Sequence, residues 1–369
     1  MPKVSKKNKY RTNLMAVALM MLSGYFCPAA GRSATAHQRH RADMLSAVYV
    51  YDGSSTTYRD GDAGNIDQMF YSFALFREGR LSVSHWKNFA AFQKYVKEHP
   101  QIMPILSVGG WGADGFSEAA ATAEGRAVFV NDVLGLMLEK GFPGVDIDWE
   151  YPGSSAAGIQ SSPHDRQNYT LLLKALRDGL DILALKDGIS RRLCIAISGS
   201  PHLIPYLECD KIGAIVDQVN LMTYDLQQAD VASHHSALYA SHAGALSADA
   251  CVRAYKTAGI PADKIMLGAA FYGHRWTTKH AAPLYQPAKK KDTLSYAAIA
   301  KLIRKTPEAL HYDEEAQAPY FSNGKVFISF DDERSIAQKR TYAEENGLMG
   351  LFAWQYGSES TGTLVSAMR

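Results

Sequence analysis

Eight short runs rich in β-branched and aromatic residues, mostly parted by helix-like stretches, constrain this 369-residue chain more than any other feature. They lie at 45–51, 69–76, 102–108, 144–150, 193–198, 216–224, 265–271 and 348–352. The intervening segments carry apolar residues at helical spacing: Val128, Val130, Val133, Leu134, Leu136 and Met137 within 119–140, closed by Gly141, and Leu171, Leu172, Leu176, Leu180 and Ile182 within 168–185. A third helix is expected at 248–258, capped by Ser247 and stopped by Gly259 and Pro261. Strands that alternate with helices pair in parallel. The fold class is therefore α/β, and the count of eight suggests a closed (β/α)8 barrel, the TIM barrel, which typically needs about 250 residues. The rhythm breaks once. About 70 residues separate Trp276 from Gly347, too many for a simple connection. With a helix at 296–305 and a β-like run at 325–330, this stretch reads as a small α+β insertion between strand 7 and strand 8, spanning about residues 277–330. The last barrel helix follows at 335–346.

Chemistry concentrates in the fourth run, Gly144-Val145-Asp146-Ile147-Asp148-Trp149-Glu150-Tyr151-Pro152. Successive side chains of a strand alternate faces, so Asp146, Asp148 and Glu150 point one way at roughly 7 Å intervals, while Val145, Ile147 and Trp149 take the other face. Three carboxyls that close cannot all ionise freely, and at least one pKa rises. A carboxylic acid kept protonated near neutrality is what general acid catalysis requires. The same spacing occurs in solvated edge strands and occasionally supplies oxygen ligands to calcium. Here an apolar helix pattern precedes the run and Trp-Glu-Tyr-Pro closes it, which places it in a concave site. In barrels of this type the site is built at the C-terminal ends of the strands. Ser107 and Trp111, Asp146 to Tyr151, Tyr224 and Asp225, Tyr272, and Trp354 all fall at such ends.

Charge and cysteine usage narrow the classes. The formal charge is +2, but residues 1–36 hold Lys3, Lys6, Lys7, Lys9, Arg11 and Arg32 and no acid, so the remainder is mildly acidic. Nothing electrostatic points to nucleic acid. The basic start, the apolar run 14–27 and the small residues ending at Ala34-Thr35-Ala36 read as a signal peptide and leader over 1–36, hence a secreted protein. The apolar run is too short to span a bilayer comfortably, and no stable membrane insertion is expected once the leader is removed. The body, 37–369, retains Cys194, Cys209 and Cys251, an odd number that excludes a full disulfide framework. Cys194, inside an apolar run, reads as a buried thiol. His234, His235 and His242 lack ligand spacing, so no metal and no cofactor are expected. No linker or repeat suggests a second module, and a monomer is expected.

The run Gly144 to Pro152 resembles the Asp-x-x-Asp-x-Asp-x-Glu signature of family 18 glycoside hydrolases, the chitinase family. Ser107-Val108-Gly109-Gly110-Trp111 is similar to that family's third-strand motif, Gln218 to Asp225 to its sixth, Phe271-Tyr272-Gly273 to its seventh and Trp354 to its eighth, and Phe330 to Ser335 resembles the stretch before its last helix. The resemblance implies hydrolysis of β-1,4 links between N-acetylglucosamine units of chitin or chito-oligosaccharides. It also implies retention without a protein nucleophile, the substrate's 2-acetamido oxygen attacking instead, an exception to the two-carboxylate scheme. Under it Glu150 is the general acid and base. Asp148 orients the acetamido group, Asp146 shares a proton with Asp148, and Ser107 tunes that pair. Tyr224 holds the acetamido oxygen, Asp225 contacts the distorted sugar, and Trp354 floors the site. Tyr151, Met222, Trp111, Tyr272 and Gln218 complete the substrate contacts, with Gly109 and Gly110 in support.

This chain departs from the pattern in places. Pro143 stands where the signature begins with Asp; Tyr272-Gly273-His274-Arg275-Trp276 replaces Tyr-Gly-Arg-Gly-Trp; and Leu226-Gln227-Gln228 follows Asp225 where Phe-His-Gly is frequent. A short insertion implies an open groove. Taken singly, Gly109 and Gly110 serve close packing equally well, Trp86 and Trp111 suit a core, and Met222 suits packing. Two other functions share the motif: a non-catalytic chitin-binding lectin, which Glu150 argues against, and an endo-β-N-acetylglucosaminidase acting on N-glycans.

Overall fold

Each of the eight apolar runs becomes a strand of one closed barrel. The computed structural model describes residues 44–53, 56–280 and 282–369, so the leader expected at 1–36 lies outside the described residues. In chain order the strands are β1 (Leu45–Tyr51), β2 (Gln68–Arg77), β3 (Arg80–Ser82), β4 (Met103–Gly109), β5 (Gly144–Asp148), β6 (Arg192–Ser198) and β7 (Gln218–Met222). They continue with β8 (Ile265–Ala270), β9 (Tyr272–Thr277), β10 (Lys289–Ser295), β11 (Leu310–Asp313), β12 (Ala318–Ser322), β13 (Val326–Phe330) and β14 (Gly350–Trp354). Strands β1, β14, β8, β7, β6, β5, β4 and β2 lie side by side in that order, and β1 pairs with β2 to close the ring. All eight contacts are parallel. This is the (β/α)8 barrel.

The alternation of β5 sets its layers. Val145, Ile147 and Trp149 are almost wholly buried on the outer face, where Trp149 stacks on Phe116 (centroids 5.4 Å apart) and meets Tyr169 edge-on. Burying one such side chain fully contributes roughly 1.5–3 kcal/mol. The inner face carries the acids into a barrel lumen filled by Tyr49, Phe70, Ile105, Cys194, Met266 and Phe352. Cys194, Cys209 and Cys251 are buried free thiols.

Several boundaries differ from the sequence expectation for local reasons. The helix read over 119–140 is two helices, Phe116–Ala121 and Ala123–Lys140, because Thr122 adopts extended backbone and its hydroxyl caps the second through Gly125 N–H. The next helix runs longer, Asp165–Asp187. The sixth barrel strand stops at Met222, where the chain turns into the cleft and Asp225 takes a positive φ of 59°. Helix Phe89–Glu98 carries buried Phe92 and Tyr95 and was not expected from the sequence. The inserted sheet begins at Tyr272 rather than at residue 277: β9 is its member directly after β8, in the order β10, β9, β13, β12, β11. The final barrel helix, Glu333–Glu345, starts in a capping box between Asp332 and Ser335. No helix among the described residues is long and apolar enough to cross a membrane.

Candidate active site

The parallel register brings Ser107 of β4 abreast of Asp146, and Gly109 abreast of Asp148. Asp146 is fully buried, and its Oδ2 accepts from Ser107 Oγ at 2.7 Å and from Tyr49 Oη at 2.9 Å. Behind Tyr49 a polar chain crosses the lumen. Asn220 Nδ2 donates to Tyr49 Oη at 2.8 Å, Gln218 Nε2 to Asn220 Oδ1 at 2.9 Å, and Gln218 and Gln68 bond to each other. Arg192 Nη1 adds a bond to Gln218 Oε1 at 3.2 Å. Gln218 is thus wholly buried beneath the acids and does not line the cleft, which corrects its expected substrate contact: the inward face of β7 at that level meets Gln68, not solvent.

Going up the strand, Asp148 is 4 % exposed and Glu150 reaches the cleft. Asp146 Oδ1 and Asp148 Oδ1 are buried without hydrogen-bond partners among the described residues. Burial pushes Asp146 up to about 7 against the opposing bonds from Ser107 and Tyr49. Burial, with Glu150 and Asp146 alongside, drives Asp148 well above the carboxylate range. Burial likewise lifts Glu150 to about 7, with Asp225 adding to the rise and a hydrogen bond from Tyr151 opposing it. Burial thus favours the protonated form at each level of the column.

A cleft of about 1220 Å³ opens above this column. Trp354 lines it, stacked on Phe73 with centroids 5.7 Å apart and tilted against Tyr49 and Tyr51. Tyr224 and Met222 pack with it, and Tyr224 lies edge-on to Tyr272 at 5.9 Å. Burial, then the nearby carboxylates, hold the Tyr224 phenol far above its usual range, so it remains a donor. Tyr151 is bonded to Glu150 and Ser198. Trp111 stands at the rim, 65 % exposed and edge-on to Tyr151, whereas Trp86 is a packing residue whose indole N–H donates to Phe73 O. Gly109 and Gly110 both line the cleft and permit close packing. A Cβ on Gly109 would sit 2.1 Å from the Asp148 carbonyl oxygen at a φ of +118°, and Gly110 N–H donates to that same oxygen. The peptides Ser72–Phe73, Glu150–Tyr151 and Trp354–Gln355 are cis.

On the far wall, Asp225 accepts from Tyr272 Oη at 2.8 Å and from His274 Nε2 at 2.6 Å, with His235 Nδ1 at 3.7 Å. Burial alone would raise its pKa; His235 and His274 outweigh that and hold it far below the usual range. Burial lowers His235 to about 4. The structure does not gather His234, His235 and His242. His234 bonds Asp313 at 3.1 Å, and His242 stacks on Tyr285. His235 turns instead to His274 and Asp225. Sequence reasoning missed Tyr49, Asn220, Gln68, Phe73, Ser198 and His235 as site residues. Only the barrel register signals the first three, since each sits on an inward-facing position.

A closed eight-stranded α/β barrel with a column of buried carboxyls at its C-terminal mouth is the architecture of a barrel glycosidase. Residues 47–359 match the family described as glycosyl hydrolases family 18, and the chain belongs to that family. It is 34% identical to chitinase A1 of Niallia circulans over 308 residues, covering 76% of this chain and 44% of that protein. It is 28% identical to a class V chitinase of Arabidopsis thaliana, covering 88% of each. Among solved structures it is similar to a glycoside hydrolase family 18 N-acetylglucosaminidase from Paenibacillus barengoltzii, with a TM-score of 0.83, 34% identity, and coverage of 88% of this chain and 99% of that one.

Proposed function

We propose that this chain is an exported chitinase that cleaves β-1,4 links between N-acetylglucosamine units with retention, by substrate assistance. The observation that carries this is Glu150, lifted to about 7 at the cleft beside Asp148, whose buried Oδ1 lacks a donor. A 2-acetamido N–H supplies that donor. In the first step Glu150 gives its proton to the glycosidic oxygen while the acetamido oxygen bonds to the anomeric carbon and the C–O link breaks. Asp148, its proton passed to Asp146, then bears the charge opposite the resulting oxazolinium. Tyr224 donates to the acetamido oxygen and holds it in line. In the second step Glu150 takes a proton from water as that water bonds to the anomeric carbon and the bond from the acetamido oxygen to that carbon breaks, which frees the acetamido group and returns the original configuration. Asp225, with Tyr272 and His274 donating to it, supports the sugar rather than attacking it. Export is supported by the basic start and apolar run of residues 1–36.

A second reading follows from the Paenibacillus likeness: release of single N-acetylglucosamine units rather than cuts within the chain. Hydrolysis of chito-oligosaccharides of increasing length, by the wild-type chain and by Glu150→Gln, tests both. The expected outcome is short N-acetylglucosamine oligomers from wild type and a loss of about 10³-fold or more in the variant. Monosaccharide released first at every length supports the second reading. Binding of these sugars without cleavage by wild type contradicts both and fits a lectin, and cleavage of N-glycans alone fits the endo-β-N-acetylglucosaminidase.

A further inference from the structure

We propose that Asp225, His235 and His274 form a binding site for a divalent transition-metal ion of zinc type, placed so that the ion takes Asp225 away from sugar. Three segments converge on it: the end of β7, the loop carrying Ser233 to Ser236, and β9. One ligand atom from each residue lies within 4.8 Å of the others. The separations from Asp225 Oδ1 are 2.6 Å to His274 Nε2 and 3.7 Å to His235 Nδ1. Zinc bonds of about 2.0–2.1 Å set ligand atoms a little over ~3 Å apart, so one pair opens slightly and the other closes slightly.

The second observation is His235 itself. Its side chain is fully buried, its Nδ1 meets the Asp225 carboxylate only at the long distance of 3.7 Å, and Nε2 has no hydrogen-bond partner among the described residues. Burying a polar nitrogen with so poor a partner is unfavourable, and a cation between Nδ1 and Asp225 would satisfy it. Two imidazoles and a carboxylate are a donor set suited to zinc, copper or nickel, and the half-exposed Asp225 leaves the remaining position open to the cleft. His274 Nδ1 lies 3.0 Å from Thr293 Oγ1, a hydroxyl that can accept as well as donate and so orients the ring with Nε2 toward an ion. The surroundings are mixed in charge. Glu150 faces Asp225, and Asp331, paired with Lys339, lies behind His235. Opposing them is Lys290, an exposed residue whose Nζ sits 3.4 Å from His274 Nε2. The Arg of the family motif at position 274 offers no lone pair, which makes the site a property of this chain's own residues.

Equilibrium dialysis of Zn²⁺ against the purified full chain, with Co²⁺ absorption as a second probe, tests the proposal. The expected result is one zinc per chain at micromolar free metal and visible bands from Co²⁺. Binding should weaken at least tenfold in His235→Asn and in His274→Arg, each checked for folding by circular dichroism, and tighten severalfold in Lys290→Met. If His235→Asn does not fold, His274→Arg decides. No zinc on wild type at these concentrations, or unchanged affinity in the folded variants, overturns the site. The competition with sugar rests on the chitinase reading; in the Glu150→Gln background, chito-oligosaccharide should weaken zinc severalfold, and no change there overturns the competition alone. Dialysis reads the metal whether or not any sugar is cut.

Discussion

Glu150 carries the account at the scale of single residues. In the proposed mechanism it must be protonated to act on the leaving oxygen, and its pKa is lifted to about 7, so kcat/KM is expected to fall as pH rises through about 7. The same lift bears on stability. A carboxyl whose folded pKa exceeds its unfolded value keeps its proton in the native state while the unfolded chain has lost it. Stability therefore declines as pH rises from the unfolded value, about 4.3, toward 7. Glu150→Gln removes that ionisation, and its Tm should exceed that of wild type at pH 8, with the gap shrinking by pH 5; a lower Tm at pH 8 would count against a strained acid. The three carboxyls were legible in the sequence because strand alternation alone puts them on one face. Their partners were not. Tyr49 and Asn220 reach Asp146 from far along the chain, and alternation says only that they point inward, not whom they meet. Gln218 was misplaced for the same reason: its position on β7 was read correctly, but not its depth.

Elements turn those residues into geometry chiefly through the contact between β4 and β5. Gly109 lets the β4 terminus press on the Asp148 carbonyl, and Gly109→Ala puts a Cβ 2.1 Å from that oxygen at an unfavourable φ. We expect a loss of more than ~2 kcal/mol in urea unfolding, together with reduced kcat, because the displaced backbone is the one that carries Asp148. Tyr49→Phe is a gentler change in the same layer. It removes the hydroxyl between Asn220 and Asp146 and should cost about 1–3 kcal/mol, measured by the same titration. Strand and helix existence was readable from periodicity, whereas the break at Thr122 and the early end of β7 were not. Both depend on local backbone turns that an apolar repeat does not record, although Thr122 is a capping residue type.

For the molecule as a whole, the count of eight strands with polar and aromatic residues at their ends was enough to expect the barrel and the end at which it works. The way the inserted sheet is fastened was not. Asp331, after β13, accepts from Lys339 Nζ at 2.6 Å, from Ser236 Oγ and from Ala270 N–H at the end of β8, all buried. Lys339→Ala leaves that carboxylate unpaired in the interior and should cost about 3–5 kcal/mol, seen as a lower Tm and a looser Asp225 wall. A salt bridge of this kind is invisible to pattern reading, since Lys339 lies on a helix that looks merely amphipathic. Time-resolved proton NMR of the first products from chito-oligosaccharide decides whether the substrate's own acetamido group attacks while Glu150 moves the proton. The β anomer should appear first and then mutarotate; the α anomer appearing first would mean direct attack by water and would contradict the mechanism.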